Sequence, residues 1–556
     1  MANEHPLDPT APKWALAGRV LTLDAQSRVI PDGVVWIAGD SIAAVAEAGA
    51  AAPEGFDGIT PVQTRGTIAP GLIELHNHVA YNVLPLWHVP KRYGNRDEWG
   101  NSNEYHRLVT APMKTIGEAT ELLPALVRYV EMKALLGGVT TTQGIALFSA
   151  PGLRRYYRGI VQNVEQPDEK ALPAAGSRIA DVDARDPQAF LNTLNHRKCL
   201  LLHLSEGTDD AAHQHFEALS LGGGNWAITP ALAGIHCAGL HPRDFGTLAA
   251  RGGSMVWSPF SNLLLYGATA DVADAKKSGG AEHRLKIALG PDWSPSGSKS
   301  LFGELRVAHV YSENNGNVFD DEELLRMATA TAAEILDWQA RVGSLEAGKR
   351  ADLVAVAGQD DQHPYAPLFA GDERRVQLVS LKGIPRYGTP ALLGGDAPHV
   401  EKLQVGGEDR VLYLKQDTED PDVAATTLAE ATSKLKDALT NIKELRLEQE
   451  SQHAPATLAA PAQVEAGHPR LALDEFELTD FTQRPHLPLH GVPTGPADRT
   501  PAVAEAAAAV PISSLLSPIT LDPVTVADDP NFFDSVDKQA NLPAYLAPGL
   551  RQRFRA

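Results

Sequence analysis

From Trp14 to Glu47, short apolar runs alternate with the turn residues Asp24-Ala25-Gln26-Ser27, Pro31-Asp32-Gly33 and Ala38-Gly39-Asp40, a pattern that predicts a small antiparallel β-layer. After Thr67 the rhythm changes. Apolar stretches of strand length now alternate with helical patterns, as the βα units of a parallel sheet do. The predicted strands are Ile68 to Glu74, Val139 to Gln143, Gly159 to Val164, Cys199 to His203, Ile235 to Cys237, Ser254 to Trp257 and Lys286 to Leu289. His203 and His236 lie 33 residues apart, one βα repeat, so they end successive strands. Seven or eight such units make a barrel. A second β-like stretch, Lys349 to Val356 and Val376 to Gly383, follows a helical segment from Asp321 to Asp337 and is expected to join the amino-terminal layer.

Beyond Val405, Leu428, Leu435 and Ile442 fall seven apart with Ala431, Ala438 and Leu445 between them, a heptad-like seam on one helix. The seam either packs on its own domain or mediates homo-oligomer formation. Residues 451–530 turn rich in Pro and Ala and read as linker or loosely ordered chain.

Polar residues that interrupt this pattern carry the candidate chemistry. His76-Asn77-His78 ends an apolar strand, where residues i and i+2 share a side and two imidazoles can reach one cation. His213-Gln214-His215 has the same spacing inside the helical pattern AAHQHFEAL, where two residues turn through about 200°, so that pair reads as solvated surface. His203, His236 and Asp292 each break an apolar strand at its last residue or in the turn just after, where a parallel barrel puts function. Any one of them alone reads as a buried polar group satisfied by backbone. Imidazole, imidazole and carboxylate following the His-x-His pair point instead to the ligand types of a zinc or iron(II) site.

The segments PGLIELHNH, HLSEG, IHC, SPFSNLLLYG and LGPDW, followed by TAAEILDWQARVGSLEAGKRADLVAV, resemble the amidohydrolase superfamily over roughly residues 14–390. Within it they are similar to the mononuclear branch of guanine and cytosine deaminases and chlorotriazine hydrolases. The resemblance implies an α/β fold: a TIM-like (β/α)8 barrel over 67–345, a small β-sandwich from the flanking segments 1–66 and 346–404, and a helical, Pro/Ala-rich extension over 405–556. It implies that His76, His78, His203 and Asp292 ligate one divalent cation, zinc or alternatively iron(II), with His236 facing the bound water or substrate. Glu206 matches the family's proton-shuttling glutamate; read by itself it is an exposed loop carboxylate.

These roles are physically coherent. A cation brings the pKa of its bound water to about 7, so hydroxide forms at neutral pH and can attack an sp² carbon. Asp292 then takes the released proton, His236 stabilises developing negative charge, and Glu206 protonates the leaving nitrogen. No lysine stands at a convincing strand end before His203, which argues against a binuclear site. The expected activity is hydrolysis of a non-peptide carbon–nitrogen bond in a small cyclic substrate, by deamination or amide opening. Rival readings are a catalytically silent barrel acting as a scaffold through its extension, or a metal-storage or sensing protein.

The loop after His78 is rich in Tyr81, Trp87, Tyr93 and Trp99, with Lys91, Arg92 and Arg96. It either caps a flat or anionic substrate or packs on the barrel rim. Tyr81, Trp87, Arg92, Asn262 and Trp293 are the candidate substrate contacts. Trp293-Ser294-Pro295 stand where these deaminases carry small residues, which weighs against a purine or pyrimidine.

The formal charge of −20 disfavours nucleic acid or an anionic membrane as partner and favours a small molecule. Cys199 and Cys237 are the only cysteines, both in apolar runs, as reduced thiols in a reducing compartment would be. With no apolar stretch of signal or membrane length, a cytoplasmic protein is expected.

Overall fold

The computed structural model describes residues 6–149, 152–157, 159–178, 186–280, 283–416, 421–452, 470–471 and 511–556. Eight short parallel strands form two arcs. The first holds Leu72–Ile73, Val139–Thr142 and Gln162–Asn163; the second holds Gly176–Arg178, Leu200–Leu204, Leu232–His236, Ser254–Trp257 and Lys286–Leu289, in that order. Backbone bonds link the arcs at both seams, Ala175 N–H to Val164 O at 2.9 Å and Asp292 N–H to His76 O at 3.1 Å. The result is a TIM-barrel-like α/β fold. Helices such as Leu123–Leu136, Pro242–Ala250 and Leu301–Asn314 follow individual strands.

Side-chain alternation sorts the strand residues. Leu201, Ala233, Ile235, Val256 and Ala288 share one buried cluster with Ile73 and Leu75, while Leu200, Leu202, Leu204, Leu232 and Met255 belong to the cluster shared with the helices. His203 lies two residues from Leu201 and therefore faces inward with it.

The flanking segments share one buried cluster, Leu16, Val20 and Val35 of the first with Leu353, Ala355 and Leu378 of the second. They form one continuous nine-stranded sheet, because Val62–Pro70 pairs with Lys13–Leu21 on one side and with Leu353–Ala357 on the other. Within Trp14 to Glu47 the pairings are antiparallel as expected, and the parallel pairing joins that layer to Val62–Pro70. The hairpin Val400–Val405 and Glu408–Tyr413 extends the same sheet across the expected boundary at 404. The expected strand Ile68 to Glu74 is also divided. Val62–Pro70 belongs to the nine-stranded sheet and Leu72–Ile73 to the barrel, with Gly71 between them. Gly176–Arg178 escaped the apolar pattern because it has no apolar run.

The heptad seam lies on two helices, Leu428–Thr440 and Ile442–Gln452, separated by Asn441. Leu428, Ala431, Leu435, Ala438 and Ile442 are buried, and the first helix packs against Leu123–Leu136. The seam is therefore used within the chain. Of the Pro/Ala-rich stretch, 453–469 and 472–510 lie outside the described residues. Residues 511–530 are not loose: Leu516, Leu521 and Val526 are buried. Among the described residues no helix is long and apolar enough to cross a membrane. Cys199 and Cys237 are both buried and free.

Candidate active site

At the carboxyl ends of the strands, residues far apart in sequence converge. His76 Nε2 lies 3.3 Å from His78 Nε2, which lies 3.2 Å from His203 Nε2. Asp292 Oδ1 stands 3.3 Å from His76 Nε2 and 3.5 Å from His78 Nε2. The His236 ring is centred 4.7 Å from that of His76 and 5.2 Å from that of His203. Two sets of three side chains thus bring possible ligand atoms together, His76 with His78 and Asp292, and His76 with His203 and His236, and His203 Nε2 also lies close to His78 Nε2.

Backbone conformation produces this convergence. Asn77 pairs with Asp292 as a parallel bridge, His78 N–H donating to Asp292 O at 2.8 Å, so the two turns are stitched together. Gly290 is required here, since a Cβ at that position would meet the His76 Cβ at 2.4 Å. His236 and Asp292 both have left-handed backbones, φ 68° and 67°, which cost energy for non-glycine residues and cluster at functional sites. By alternation from Ile235, His236 would face the helices; its positive φ turns it toward the mouth.

Neighbours fix the orientation of each group. His76 Nδ1 is 2.7 Å from Ser258 Oγ, which leaves Nε2 as the lone-pair nitrogen when Nδ1 carries the hydrogen. Burial, reinforced by the surrounding imidazoles, pushes His76 well below the ordinary histidine range and keeps it neutral. Ser261 donates to Asp292 Oδ2 at 2.7 Å, and burial raises the Asp292 carboxyl above its usual value. A relay sets His236: Trp257 Nε1–H donates to Thr269 Oγ1 at 2.8 Å, so the Thr269 hydroxyl donates to Asn262 Oδ1 at 3.2 Å. Asn262 Nδ2 then donates to His236 Nδ1 at 3.0 Å, leaving the hydrogen of His236 on Nε2. That nitrogen faces Glu206 Oε2 at 3.6 Å.

Glu206 is 3 % exposed and so is not an exposed loop carboxylate. Tyr266 donates its hydroxyl to Glu206 Oε1 at 2.9 Å, Trp99 Nε1–H donates to that hydroxyl at 2.8 Å, and Arg96 Nε lies 3.5 Å from Glu206 Oε2. Beside these groups opens a partly enclosed pocket lined by His78, Tyr81, Arg96, Trp99, Tyr105, His203, Glu206, His236, Asp292 and Trp293.

Tyr81 and Trp293 stand in the wall as the sequence suggested; the other candidate contacts do not. Trp87 is buried behind the wall against Tyr93 and Tyr105, with ring centroids at 6.0 and 6.1 Å. Arg92 is exposed and lies against Gly267. Asn262 supports His236 and is absent from the lining. Arg96, Trp99 and Tyr105 take those places. Arg96 gains its position from the helix Arg96–Gly100, capped by Asn95, and from its own N–H donating to Glu206 O at 3.1 Å. Tyr105 comes from a segment with no periodic signal, and Tyr266 was masked by the apolar run LLLY. His213 and His215 are half-buried rather than solvated; His213 stacks on His241 at 4.0 Å and meets Asp244 at 2.9 Å.

Residues 203–384 match the model of the Amidohydrolase family. This chain carries an amidohydrolase domain. It is an enzyme of that kind, and its relatives bear corresponding names. A 5-methylthioadenosine/S-adenosylhomocysteine deaminase of Syntrophobacter fumaroxidans is 29 % identical over 384 residues, covering 61 % of this chain and 83 % of the relative. A namesake from Pelotomaculum thermopropionicum is 25 % identical over 71 % of this chain and 97 % of its own. Among solved structures, an adenosine deaminase from Xanthomonas campestris with bound zinc superposes with a TM-score of 0.51 at 18 % identity, covering 78 % of this chain and all of that one. The atrazine chlorohydrolase of Arthrobacter aurescens, complexed with zinc, gives 0.50 at 19 % identity over 67 % and 94 %. At these identities the structural likeness speaks for the fold of the amidohydrolase domain.

Proposed function

We propose that this amidohydrolase domain is a mononuclear, zinc-dependent deaminase of a small planar heterocycle bearing an exocyclic amino group. The observation that carries the reading is the spacing of His76 Nε2, His78 Nε2, His203 Nε2 and Asp292 Oδ1. Four separations among them run from 3.2 to 3.5 Å. A tetrahedral zinc with ligands at about 2.0–2.1 Å spaces them about 3.3–3.4 Å apart, and these four separations match that spacing. When bound, the cation supplies the Lewis acidity that lets a water ionise near neutral pH.

The chain's own residues do the rest. Asp292, its second oxygen tied to Ser261, takes the proton from the attacking water. His236 presents Nε2–H to charge developing at the ring atom under attack. Glu206, oriented by Tyr266, carries the proton to the departing nitrogen, which leaves as ammonia while the ring keeps the new oxygen. Tyr81, Trp99, Tyr105 and Trp293 supply flat faces for a ring, and the names of the deaminase relatives support an amino leaving group. A silent scaffold is not favoured by a pocket whose wall brings together His78, His203, Glu206, His236 and Asp292.

Metal analysis of the purified protein, with a screen for ammonia release across amino-heterocycles, tests the reading. About one zinc per chain and turnover of a ring amine are expected. Full turnover after complete metal removal would overturn it.

A further inference from the structure

Residues 511–556 return to the barrel from far along the chain, and Asp522 from this segment lies 2 % exposed beneath the active-site turns. Lys133 Nζ pairs with its Oδ2 and Lys299 Nζ with its Oδ1; Lys299 also reaches Asp529 at 2.8 Å. Burial works against the charge on Asp522, but the two ammonium groups outweigh it and leave its pKa lowered. Both lysines belong to the barrel, Lys133 on the helix Leu123–Leu136 and Lys299 in the loop after Lys286–Leu289. The two carboxylates paired with them both belong to the carboxyl-terminal segment.

Lys133 has three hydrogens to give, and their acceptors are informative. One goes to Asp522. The others go to Asn82 O at 2.9 Å and Ser294 Oγ at 2.7 Å. Asn82 in turn accepts from Ser294 N–H at 2.8 Å and donates to Asn77 Oδ1 at 3.0 Å. Asn77 separates His76 from His78, and Ser294 lies two residues beyond Asp292. The ammonium group neutralised by Asp522 therefore pins together the two turns that carry three of the four candidate ligands.

The segment holds the outer loop as well. Asp522 N–H donates to Val83 O at 3.0 Å, Gln539 Nε2 donates to Trp87 O at 2.9 Å and its Oε1 accepts from Val89 N–H at 3.2 Å, and Asn541 Nδ2 donates to Lys91 O at 3.0 Å. These anchors lie on the back of the loop whose front presents Tyr81, Arg96 and Trp99 to the cavity.

We propose that the carboxyl-terminal segment is a built part of the active site and that Asp522 is a positioning residue, acting through Lys133 to hold the His76–His78 and Asp292 turns in ligand register. The proposal rests on the zinc reading above.

The test compares zinc affinity and thermal stability in the full-length parent, Asp522→Asn, and the charge-balanced pair Lys133→Met/Asp522→Asn, using a chromophoric zinc chelator as competitor at a temperature where each is folded by circular dichroism. In the pair Lys299 keeps Asp529 as its partner. Supporting groups around metal ligands typically change affinity 10–100-fold when removed, and a loss of that size is expected in both variants. The pair is expected to regain stability, because no buried ammonium is left unbalanced, without regaining zinc affinity. Should Asp522→Asn alone not fold, the pair carries the test. Parental zinc affinity in either folded variant, or affinity that recovers together with stability, overturns the positioning role while leaving the metal site intact. A parent that takes up no zinc overturns both.

Discussion

Asn262 meets His236 across 3.0 Å, its amide hydrogen directed at Nδ1, so the residue that resembled a substrate contact instead decides which nitrogen of the neighbouring ring carries the proton. Replacing it with alanine removes that donor without touching the cavity wall. Asn262→Ala is expected to lower kcat about 10–100-fold with KM nearly unchanged, since the lost interaction acts on transition-state charge and not on ground-state binding. Steady-state kinetics on the substrate found by the ammonia screen checks this; a rise in KM at constant kcat would return Asn262 to substrate contact.

Tyr266 anchors the proposed proton carrier. Burial, followed by the charge of Glu206, pushes the phenol well above its ordinary value, so it remains a donor at every pH the enzyme meets. Tyr266→Phe is expected to lower kcat about tenfold, in line with the loss of one positioning hydrogen bond, with zinc content at the parental level. Parental kcat would show that Glu206 needs no such support.

Removing a ligand should separate metal from fold. His76→Ala is expected to lose both zinc and turnover, the latter by at least about a hundredfold, while its far-ultraviolet circular dichroism stays parental. Retained stoichiometric zinc by mass spectrometry would move the site elsewhere.

Two arginines of one loop should part company. Arg96 lines the cavity and Arg92 lies outside it, so Arg96→Ala is expected to raise KM about tenfold while Arg92→Ala leaves kcat/KM within about twofold. Equal effects would mean that the loop rearranges when substrate binds.

Glu304 offers a pH test independent of turnover. Fully buried, it accepts from Phe260 N–H at 2.9 Å and from Ser298 Oγ, and burial lifts its pKa from 4.5 to about 8. Between these values the folded protein holds a proton that the unfolded chain has released, so this group's contribution to stability falls as pH rises from 4.5 to 8 and levels off above. Glu304→Gln keeps a hydrogen-bonding side chain without the titration. In metal-free protein the variant should gain on the parent over that window, by an amount on the order of 4 kcal/mol. Urea unfolding at both ends decides it, and a constant difference would refute the assignment.

His-x-His at the end of an apolar strand, and a lone polar residue closing each of several later ones, were legible in the sequence because local periodicity dictates which side chains share a face. That pattern pointed to parallel βα units and to the polar groups at their ends, while the ligand set and the kind of chemistry were implied by the resemblance of the motifs to the amidohydrolase superfamily. Partners were not legible. Which arginine reaches the cavity, that Asn262 serves His236, that His236 turns inward through a left-handed backbone, and that Asp522 neutralises Lys133 beneath the site all depend on contacts between residues up to several hundred positions apart. Nothing in a local window records such a meeting; it is settled when burial forces every charge and donor to find a partner wherever the packed chain has brought one.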